Sequence, residues 1–472
     1  MKKPNMLQTV LSVGACKLTR AVLRKTGRGG TAIPGIVAMK MCGNVLSVPA
    51  ENMKIVVVTG TNGKTTTCNM IAHAIAEAGH PCFMSRSGVN LLHSIAADVL
   101  CNTDWRGRPR DPYAVLECDE AALKQVVPLL SPRVIVVTNL FSDQVDRYGG
   151  VQNTLAEIRR GIERSPGSTL VLNADDPLTA SLALNVPNKV VRFGLESGVG
   201  EQGVVDLSDA GVCPVCGAAY TYDYHTYADL GGFRCSSCGW QRQTPEAAVT
   251  SIDYKGTDKS TVRMTVKRSA SSPRGLRRVV DIALPAVYNI YNAAATAAAA
   301  VALGFSAEET GAAIGSLASV RSAFGRLETF DLDGIRLQMI LVKNPAGCNQ
   351  AFTYVTGFGE DYTAVLCLND RTGDGHDISW IENTDYEKLC SDPHLKKIYV
   401  AGDRAKDLFD RLKEAGACAP GEDRMELVTD YGQIVEKLKE DRRTAFLLPN
   451  YTSMMELRQA LNKETGNKDF WE

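Results

Sequence analysis

Residues 53–67 read MKIVVVTGTNGKTTT, and this stretch decides the fold. Its first half, MKIVVV, is an unbroken apolar run typical of a buried parallel strand. The segment from Thr65 to Ala78 has helical spacing and stops at Gly79. The glycine-containing loop between them would direct backbone N–H groups, and the N-terminus of the helix, toward an anion. This order of strand, loop and helix predicts a phosphate-binding domain of the α/β class.

The side chains of this loop predict a nucleotide site. Lys64 is placed to neutralise the terminal phosphates of a nucleotide, and the Thr65 hydroxyl is placed to bind Mg²⁺. Val58 departs from the usual phosphate-loop motif, which has Gly at that position. The residues that we expect to contact the nucleotide are Thr61, Asn62, Gly63, Lys64, Thr65 and Thr66.

Acidic residues follow the next two predicted strands. Glu117 is the last residue of the strand YAVLE, and Asp119 and Glu120 follow it. Clustered carboxylates are unfavourable unless a cation or hydrogen bonds compensate them, so we predict that they complete a Mg²⁺ site; a solvated loop is the alternative. Asp143 and Asp146 follow the next strand and are weaker candidates.

Outward from the loop, apolar strands and helical segments alternate along most of the chain. This rhythm predicts a parallel sheet covered on both faces. We therefore expect an N-terminal helical segment, a P-loop ATP-binding domain with a small insertion, and a smaller Rossmann-like α/β domain. The respective ranges are 1–50, 51–320 with the insertion at about 205–250, and 321–472.

Composition limits the class of protein. The 472 residues include 52 Lys+Arg and 53 Asp+Glu, and the net charge of −1 argues against a broadly basic nucleic-acid binder and against an acidic disordered chain. No apolar run approaches the ~20 residues needed to span a membrane. Residues 1–50 nevertheless carry basic residues with no acid before Glu51. A solvated helix face and a face for a membrane or an anionic substrate both remain open for this segment.

The 14 cysteines include one tight cluster. Two C-x₂-C pairs are separated by 18 residues, which is a zinc-ribbon spacing. Gly217 and Gly239 follow the pairs and permit the tight turns that such a site needs. Four thiolates leave no open position on the metal, so we predict a structural Zn²⁺ site. The many other, single cysteines predict a reducing, cytoplasmic location. Its ligands are Cys213, Cys216, Cys235 and Cys238. The segment is poor in Lys and Arg, which disfavours nucleic-acid binding.

Several motifs together resemble the Mur ligases, which activate a carboxylate with ATP for attack by an amine. They occur in the order TGTNGKTT, TNLFSDQVDRYG, LNADDP, YNIYNAAATAAA and GRLE. The four-cysteine insertion, NPAGCNQ, LNDRTGDGHDISW and PNYTS narrow the resemblance to the MurT branch of that family. The resemblance covers residues from about 15 to 460 and implies the Mur ligase fold.

The resemblance also implies roles for residues at matching positions. Lys64 and Thr65 match the phosphate and Mg²⁺ residues, and Glu117 matches a Mg²⁺-binding glutamate. Asn90 and Asn292 match asparagines that contact adenine, with capping of a helix or loop as the alternative. Arg326 matches an arginine that reaches the ATP phosphates, where a guanidinium stabilises developing charge.

Departures from the amino-acid-adding Mur ligases are informative. Those enzymes have DHLDRH where this chain has residues 143–148, DQVDRY, and Gln144 is a poor substitute for their metal-binding His. Their carbamylated Lys is not apparent either; Arg159 and Arg160 lie nearest. These differences disfavour a single-chain amino-acid ligase of the Mur or folylpolyglutamate type, which is the alternative function. Two further alternatives are a zinc-ribbon nucleic-acid module and a regulatory scaffold with a vestigial nucleotide site.

The resemblance implies a specific reaction. ATP would phosphorylate the α-carboxyl of D-glutamate in the stem peptide of lipid II, and ammonia would convert the acyl phosphate to D-isoglutamine. Ammonia is mostly ammonium at neutral pH, so a separate GatD-type glutaminase partner is implied. Asp377, in the loop that follows a buried strand, matches the aspartate that completes this partner's Cys–His pair. Contact with the inner face of the membrane is a further hypothesis.

Overall fold

The structure, a computed structural model, describes nine stretches of the chain, which divides into two compact units. The stretches are 3–26, 31–85, 90–141, 150–200, 211–256, 258–267, 275–320, 326–417 and 424–465. The first unit comprises 1–141, 151–255 and 259–320; the second comprises 142–150, 256–258 and 321–472.

The first unit is built on a sheet with nine strands among the described residues. Seven of them are parallel, in the order β9-β6-β5-β4-β1-β3-β2, which confirms the predicted parallel α/β sheet. β10 and β11 extend it antiparallel beyond β9. The strands are β1 Lys54–Thr59, β2 Cys82–Met84, β3 Tyr113–Glu117, β4 Val134–Val137, β5 Thr169–Asn173, β6 Val190–Leu195, β9 Ala247–Lys255, β10 Ser260–Val266 and β11 Leu276–Ile282.

Helices cover this sheet because its strands carry apolar side chains on both faces, as in β1, where five of six residues are buried. The helices of the first unit are α1 Met6–Lys25, α2 Ile33–Met41, α3 Ser47–Ala50, α4 Lys64–Glu77, α5 Leu92–Cys101, α6 Leu123–Leu130, α7 Val151–Glu163, α8 Pro177–Ser181, α9 Val287–Leu303 and α10 Ala307–Gly315. A 3₁₀ helix, Ser316–Ser319, follows α10.

The N-terminal helices share the core of the first unit. Val13 and Cys16 on α1, and Ala38 on α2, are fully buried in the same apolar cluster as Ile55 of β1 and Ile95 of α5. The described residues between 3 and 50 therefore pack as part of the first unit. Among the described helices, none is long and apolar enough to cross a bilayer.

The insertion forms a two-stranded antiparallel hairpin, β7 Tyr220–Tyr227 with β8 Leu230–Cys235. It lies between β6 and β9, which pair directly with each other in the main sheet. The parallel sheet is therefore continuous across the insertion, as a segment added to a complete fold requires.

The second unit has a six-stranded sheet in the order β12-β13-β17-β14-β15-β16, parallel except for the β12–β13 pair. Its strands are β12 Arg326–Leu332, β13 Ile335–Ile340, β14 Tyr362–Cys367, β15 Leu395–Ala401, β16 Met425–Leu427 and β17 Thr444–Pro449. Its helices are α11 Pro345–Thr356, α12 Tyr386–Cys390, α13 Ala405–Glu414, α14 Tyr431–Asp441 and α15 Tyr451–Thr465, with a 3₁₀ helix at Ser379–Asn383. The loops after β14 and β17 meet at the carboxyl edge, where open α/β sheets bind ligands.

Candidate active site

The phosphate loop runs from the end of β1 at Thr59 to the start of α4 at Lys64. Gly60 and Gly63 have φ of +120° and +83°, a region that favours glycine. A Cβ on Gly60 would lie 2.4 Å from Thr138 Oγ1, and one on Gly63 would lie 2.4 Å from Asn292 Oδ1. Both glycines are therefore required by backbone geometry and by close packing.

The residues after β4 hold this loop in place. The Asn62 N–H donates to Asn139 Oδ1 at 2.9 Å, and Thr138 Oγ1 donates to the Asn62 carbonyl at 2.7 Å. The Phe141 N–H donates to Thr61 Oγ1 at 3.0 Å. The loop is thereby fixed from its neighbouring strand, which organises its backbone before any phosphate binds.

Lys64 forms a nearly buried ion pair with Glu120. Its Nζ lies 2.8 Å from Glu120 Oε1 and 2.6 Å from the Gly60 carbonyl oxygen. The side chains of the two partners are 11% and 7% exposed. An ammonium in so dry a site needs an anion beside it, and here a carboxylate fills that need.

Thr65 and Glu117 lie together, as predicted. Thr65 Oγ1 donates to Glu117 Oε2 at 2.7 Å. A hydroxyl and a carboxylate are ligands that a hard divalent cation prefers, so the pair fits Mg²⁺. Asp119 has a different role, because its carboxylate accepts from the Ala121 N–H at 3.0 Å and stabilises the turn after β3. The three acids at the end of β3 and after it therefore have different partners: Glu117 accepts from a hydroxyl, Glu120 pairs with an ammonium, and Asp119 accepts from a backbone N–H.

The two asparagines matched to adenine contacts both lie in the first unit. Asn292 is 3% exposed; its Oδ1 accepts from Thr67 and its Nδ2 donates to Asn289, both at 3.1 Å. The Asn90 carbonyl accepts from the Asp119 N–H at 3.0 Å, beside the acidic turn. Their contact with adenine stays a prediction.

Arg326 begins β12, in the second unit. Asp143, Gln144 and Asp146 lie outside the described residues.

The four clustered cysteines converge as their spacing predicts. All four Sγ atoms lie within 4.8 Å of one another, with Cys213–Cys238 at 3.6 Å and Cys216–Cys235 at 3.4 Å. A tetrahedral Zn²⁺ with bonds of about 2.3 Å requires sulfurs about 3.8 Å apart, so the group fits that ion. Gly217 and Gly239 each have φ of +76°, which confirms the two matched turns that they were predicted to permit.

The hairpin docks on a buried aspartate of the motif LNADDP. Arg242 Nε donates to Asp175 Oδ1 at 2.6 Å, and Tyr291 on α9 donates its hydroxyl to Asp175 Oδ2 at 2.7 Å. Burial raises the pKa of Asp175, while the Arg242 charge opposes that rise. The ring of Tyr227 lies 5.8 Å from that of Phe141, whose N–H holds Thr61 of the phosphate loop. The insertion therefore contacts Phe141, one of the residues that hold the phosphate loop in place.

Two of the aspartates in the loop after β14 lie in contrasting settings. Asp374 is partly buried and accepts from the Thr452 N–H at 2.8 Å and from its hydroxyl at 2.5 Å, which fastens the loop to the start of α15. Asp377 is partly exposed and accepts from the Ser379 N–H at 2.9 Å. Hydrogen bonds from Ser379 lower the pKa of Asp377. Asp374 thus holds the loop, and Asp377 presents an ionised carboxylate at the surface.

The sequence pointed to the charged residues of the site, but it did not show which residues form ion pairs with them. Nothing in the sequence pairs Lys64 with Glu120, because 56 positions separate them. The Arg242–Asp175 pair was also missed, although two adjacent aspartates soon after a buried strand, as in LNADDP, signal a need for compensating partners.

Comparison with known proteins gives the family. The Mur ligase middle domain matches residues 58–212, and the MurT ligase C-terminal domain matches residues 341–454. The lipid II isoglutaminyl synthase (glutamine-hydrolyzing) subunit MurT of Streptococcus pneumoniae (strain ATCC BAA-255 / R6) is 33% identical over 96% of this chain and 97% of its own length. The chain belongs to the MurT family of Mur ligases. A MurT subunit of Staphylococcus aureus (strain N315) is 30% identical over 96% of this chain and 97% of its own length.

Solved structures agree with the fold of this MurT family member. The MurF ligase of Thermotoga maritima in complex with ADP superposes with a TM-score of 0.61 at 14% identity, covering 91% of this chain and 84% of that one. A pseudomurein peptide ligase type C from Methanothermus fervidus gives 0.62 at 18% identity, covering 87% and 79%. These likenesses confirm the Mur ligase fold, and the family assignment makes the chain a ligase.

Proposed function

We propose that this chain is the synthetase subunit of a lipid II isoglutaminyl synthase. It would use ATP to amidate the α-carboxyl of D-glutamate in the stem peptide, giving D-isoglutamine. The observation that carries the proposal is the similarity, over 97% of its own length, of a curated lipid II isoglutaminyl synthase subunit. Lys64 and Thr65 of the phosphate loop, which contact Glu120 and Glu117, support it. Activation of a carboxylate by ATP needs a cation on the phosphates and a ligand for Mg²⁺, and these two residues can supply them.

The first step is phosphoryl transfer. The substrate carboxylate oxygen attacks the γ-phosphorus of ATP, the bond to the β,γ-bridging oxygen breaks, and ADP leaves. Lys64 would leave Glu120 and contact the phosphates instead, so that its ammonium group always has an anion beside it. The N-terminus of α4 and the loop N–H groups add positive potential at the same place. Positioning and charge neutralisation would carry most of this step.

A divalent metal would be held by Thr65 and Glu117, whose oxygens are 2.7 Å apart. When bound, Mg²⁺ supplies charge neutralisation to the phosphate oxygens. Asn90, Asn292 and Arg326 are proposed to hold the adenine and the phosphates, as the family motifs imply. The four-cysteine cluster is proposed to hold a structural Zn²⁺, which would fix the two turns of the insertion.

In the second step ammonia attacks the carbonyl carbon of the acyl phosphate, phosphate leaves, and the new amide loses a proton. A GatD-type glutaminase partner would release that ammonia from glutamine. Asp377 would orient and charge-stabilise the histidine of this partner. The lowered pKa of Asp377 keeps its carboxylate ionised for that role.

Mass spectrometry of lipid II tests the proposal directly. Incubation with ATP, glutamine, this chain and the glutaminase subunit should replace one carboxyl OH of the stem peptide by NH₂, with phosphate and ADP released. Without ATP the substrate should stay unchanged. Incorporation of a labelled amino acid in place of an amide nitrogen would contradict the proposal and support a single-chain amino-acid ligase.

A further inference from the structure

Helix α1 carries an apolar stripe that faces away from the core. Leu7, Leu11, Leu18 and Val22 are spaced four, seven and four residues apart, which places them along one side of the helix. Their exposed fractions are 67%, 52%, 68% and 53%. A stripe this exposed contributes little to the core of the first unit. The opposite side of the same helix packs into that core.

This stripe is unusual within the molecule. Of the fifteen large apolar side chains that are exposed among the described residues, seven lie in residues 1–41. Scattered exposed apolar residues are ordinary, whereas a contiguous patch marks a surface that binds something apolar. The concentration in one short segment therefore indicates a binding surface.

A tryptophan adjoins the stripe. Trp105 is 61% exposed, and a Cβ on Gly14 would lie 3.6 Å from its ring. Lys17 Nζ lies 5.3 Å from the centroid of this ring. Tryptophan with a nearby cation is characteristic of the boundary between a membrane and water, where the ring enters the headgroup layer and the charge stays outside.

Basic residues outnumber acidic ones around the stripe, and two of them are paired: Lys3 with Glu51 and Arg20 with Asp98. Residues 1–50 contain eight Lys and Arg and no Asp or Glu, although the whole chain has a net charge of −1. Arg24 and Lys25 lie in the last turn of α1, and Arg106 and Arg108 flank Trp105. That loop also holds two acids. Asp104 accepts hydrogen bonds from the N–H groups of Arg106 and Arg108, so it stabilises the turn, and Asp111 accepts from Asn102 Nδ2 at 3.1 Å.

We infer that α1 and Trp105 form a docking surface for an anionic phospholipid membrane. The helix would lie in the plane of the headgroups, with the stripe inserted and the basic residues against lipid phosphates. At 20 residues it is ~30 Å long, and the packing of its other face keeps it on the first unit. A second copy of the chain fits less well, because it would bring the same excess of positive charge to the contact.

This inference rests on the proposed function, since it would hold the enzyme at the surface where a lipid-linked substrate resides. Surface attachment would then raise the encounter rate with that substrate without any contact at the active site. The chemistry of ATP and ammonia does not depend on it.

Vesicle sedimentation of the full chain with its glutaminase partner tests the surface. Wild type should bind vesicles of phosphatidylcholine containing about 30 mol% phosphatidylglycerol, and raising salt from about 0.05 to about 0.5 M should release it. Leu11→Gln/Leu18→Gln, which keeps good helix formers, should weaken binding at least about tenfold. Arg24→Gln/Lys25→Gln should weaken it about tenfold. Val279→Gln, at an equally exposed site on β11, is the matched control and should bind as wild type does.

Parallel assays separate this inference from the proposed function. Amidation of a water-soluble stem-peptide analogue should be equal in wild type and in the Leu11/Leu18 variant. Vesicle binding unaffected by the leucine substitutions would overturn the docking surface. The docking surface would also be overturned if the leucine variant kept lipid binding but lost self-association or lost binding of the glutaminase subunit. Absence of amidation by the wild type would instead refute the proposed function and leave the vesicle result standing.

Discussion

The phosphate loop and the loop after β14 hold their charged groups in opposite ways. Lys64 and Glu120 are nearly buried and neutralise each other, whereas Asp377 is partly exposed and is held by a short turn onto Ser379. A buried charge must have a partner at every moment, so the first site can act only by exchanging one anion for another. An exposed carboxylate has water as its partner and is free to meet a second protein. The difference fits the roles proposed above, in which one loop binds a small anionic ligand and the other meets a protein surface.

The largest expected effect comes from removing the buried cation. Lys64→Met should lower both glutamine-dependent and ammonia-dependent amidation by at least about 10³-fold, since transition-state charge on the phosphates loses its main side-chain partner. Steady-state rates with each nitrogen source measure this. Lys54→Met, on the same strand-loop unit but outside the loop, is the control. Residual activity with ammonia alone would break the contrast between the two loops, because the phosphate loop would then serve only one nitrogen source.

Asp377→Asn should affect only one nitrogen source. We expect glutamine-dependent amidation to fall about 10²- to 10³-fold, because the partner's histidine loses its charge stabilisation, with ammonia-dependent amidation unchanged. The ratio of the two rates is the measurement. Asp361→Asn, an exposed acid of the same unit, serves as control and should leave the ratio unaltered. Equal loss of both activities would refute the assigned role.

Arg242→Met tests the attachment of the insertion. It leaves Asp175 buried without its cation, and breaking such a pair typically costs about 3–5 kcal/mol. The folded pKa of Asp175 is already raised by burial, and loss of Arg242 raises it further. Stability from a raised carboxyl pKa is present at low pH and is lost as pH rises, so the deficit of the variant should be largest near neutrality and shrink toward about pH 4.

Denaturant midpoints at several pH values measure this deficit. Arg263→Met removes a more exposed ion pair with Asp253, which solvent screens, and should shift the midpoint far less than Arg242→Met does at every pH. A deficit in the Arg242 variant that grows on acidification would contradict the assigned electrostatics.

The smallest effect concerns the turn that holds Asp377. Ser379→Ala removes the hydroxyl but keeps the backbone N–H, so glutamine-dependent amidation should fall by no more than about threefold. Loss of the hydroxyl raises the Asp377 pKa toward its ordinary value, so on acidification the ratio of glutamine- to ammonia-dependent rates should decline at a higher pH than in wild type. If this pH dependence were the same in the variant and in wild type, the Ser379 hydroxyl would have no part in keeping Asp377 ionised.

Much of the site could be read from local sequence. Lys64 and Thr65 follow a strand and open a helix within one short segment, and the four cysteines report their turns through spacing and the following glycines. In both cases the functional groups lie within a few residues of one another along the chain, so the local backbone geometry fixes their arrangement. The antiparallel extension by β10 and β11 was not predicted, although the alternation of polar and apolar residues in TVRMTV, residues 261–266, indicates a strand with two unlike faces.

The sequence by itself determined the parallel α/β class, the phosphate loop and the four-cysteine cluster, because each is a local pattern with its own backbone requirement. The tertiary structure decided which acid neutralises Lys64, which cation neutralises Asp175 and which side of α1 faces outward. Those choices depend on strands and helices far apart in the chain being brought to contact. The physical reason is that desolvation makes a buried charge depend on its nearest neighbours in space, and sequence order does not state who those neighbours are.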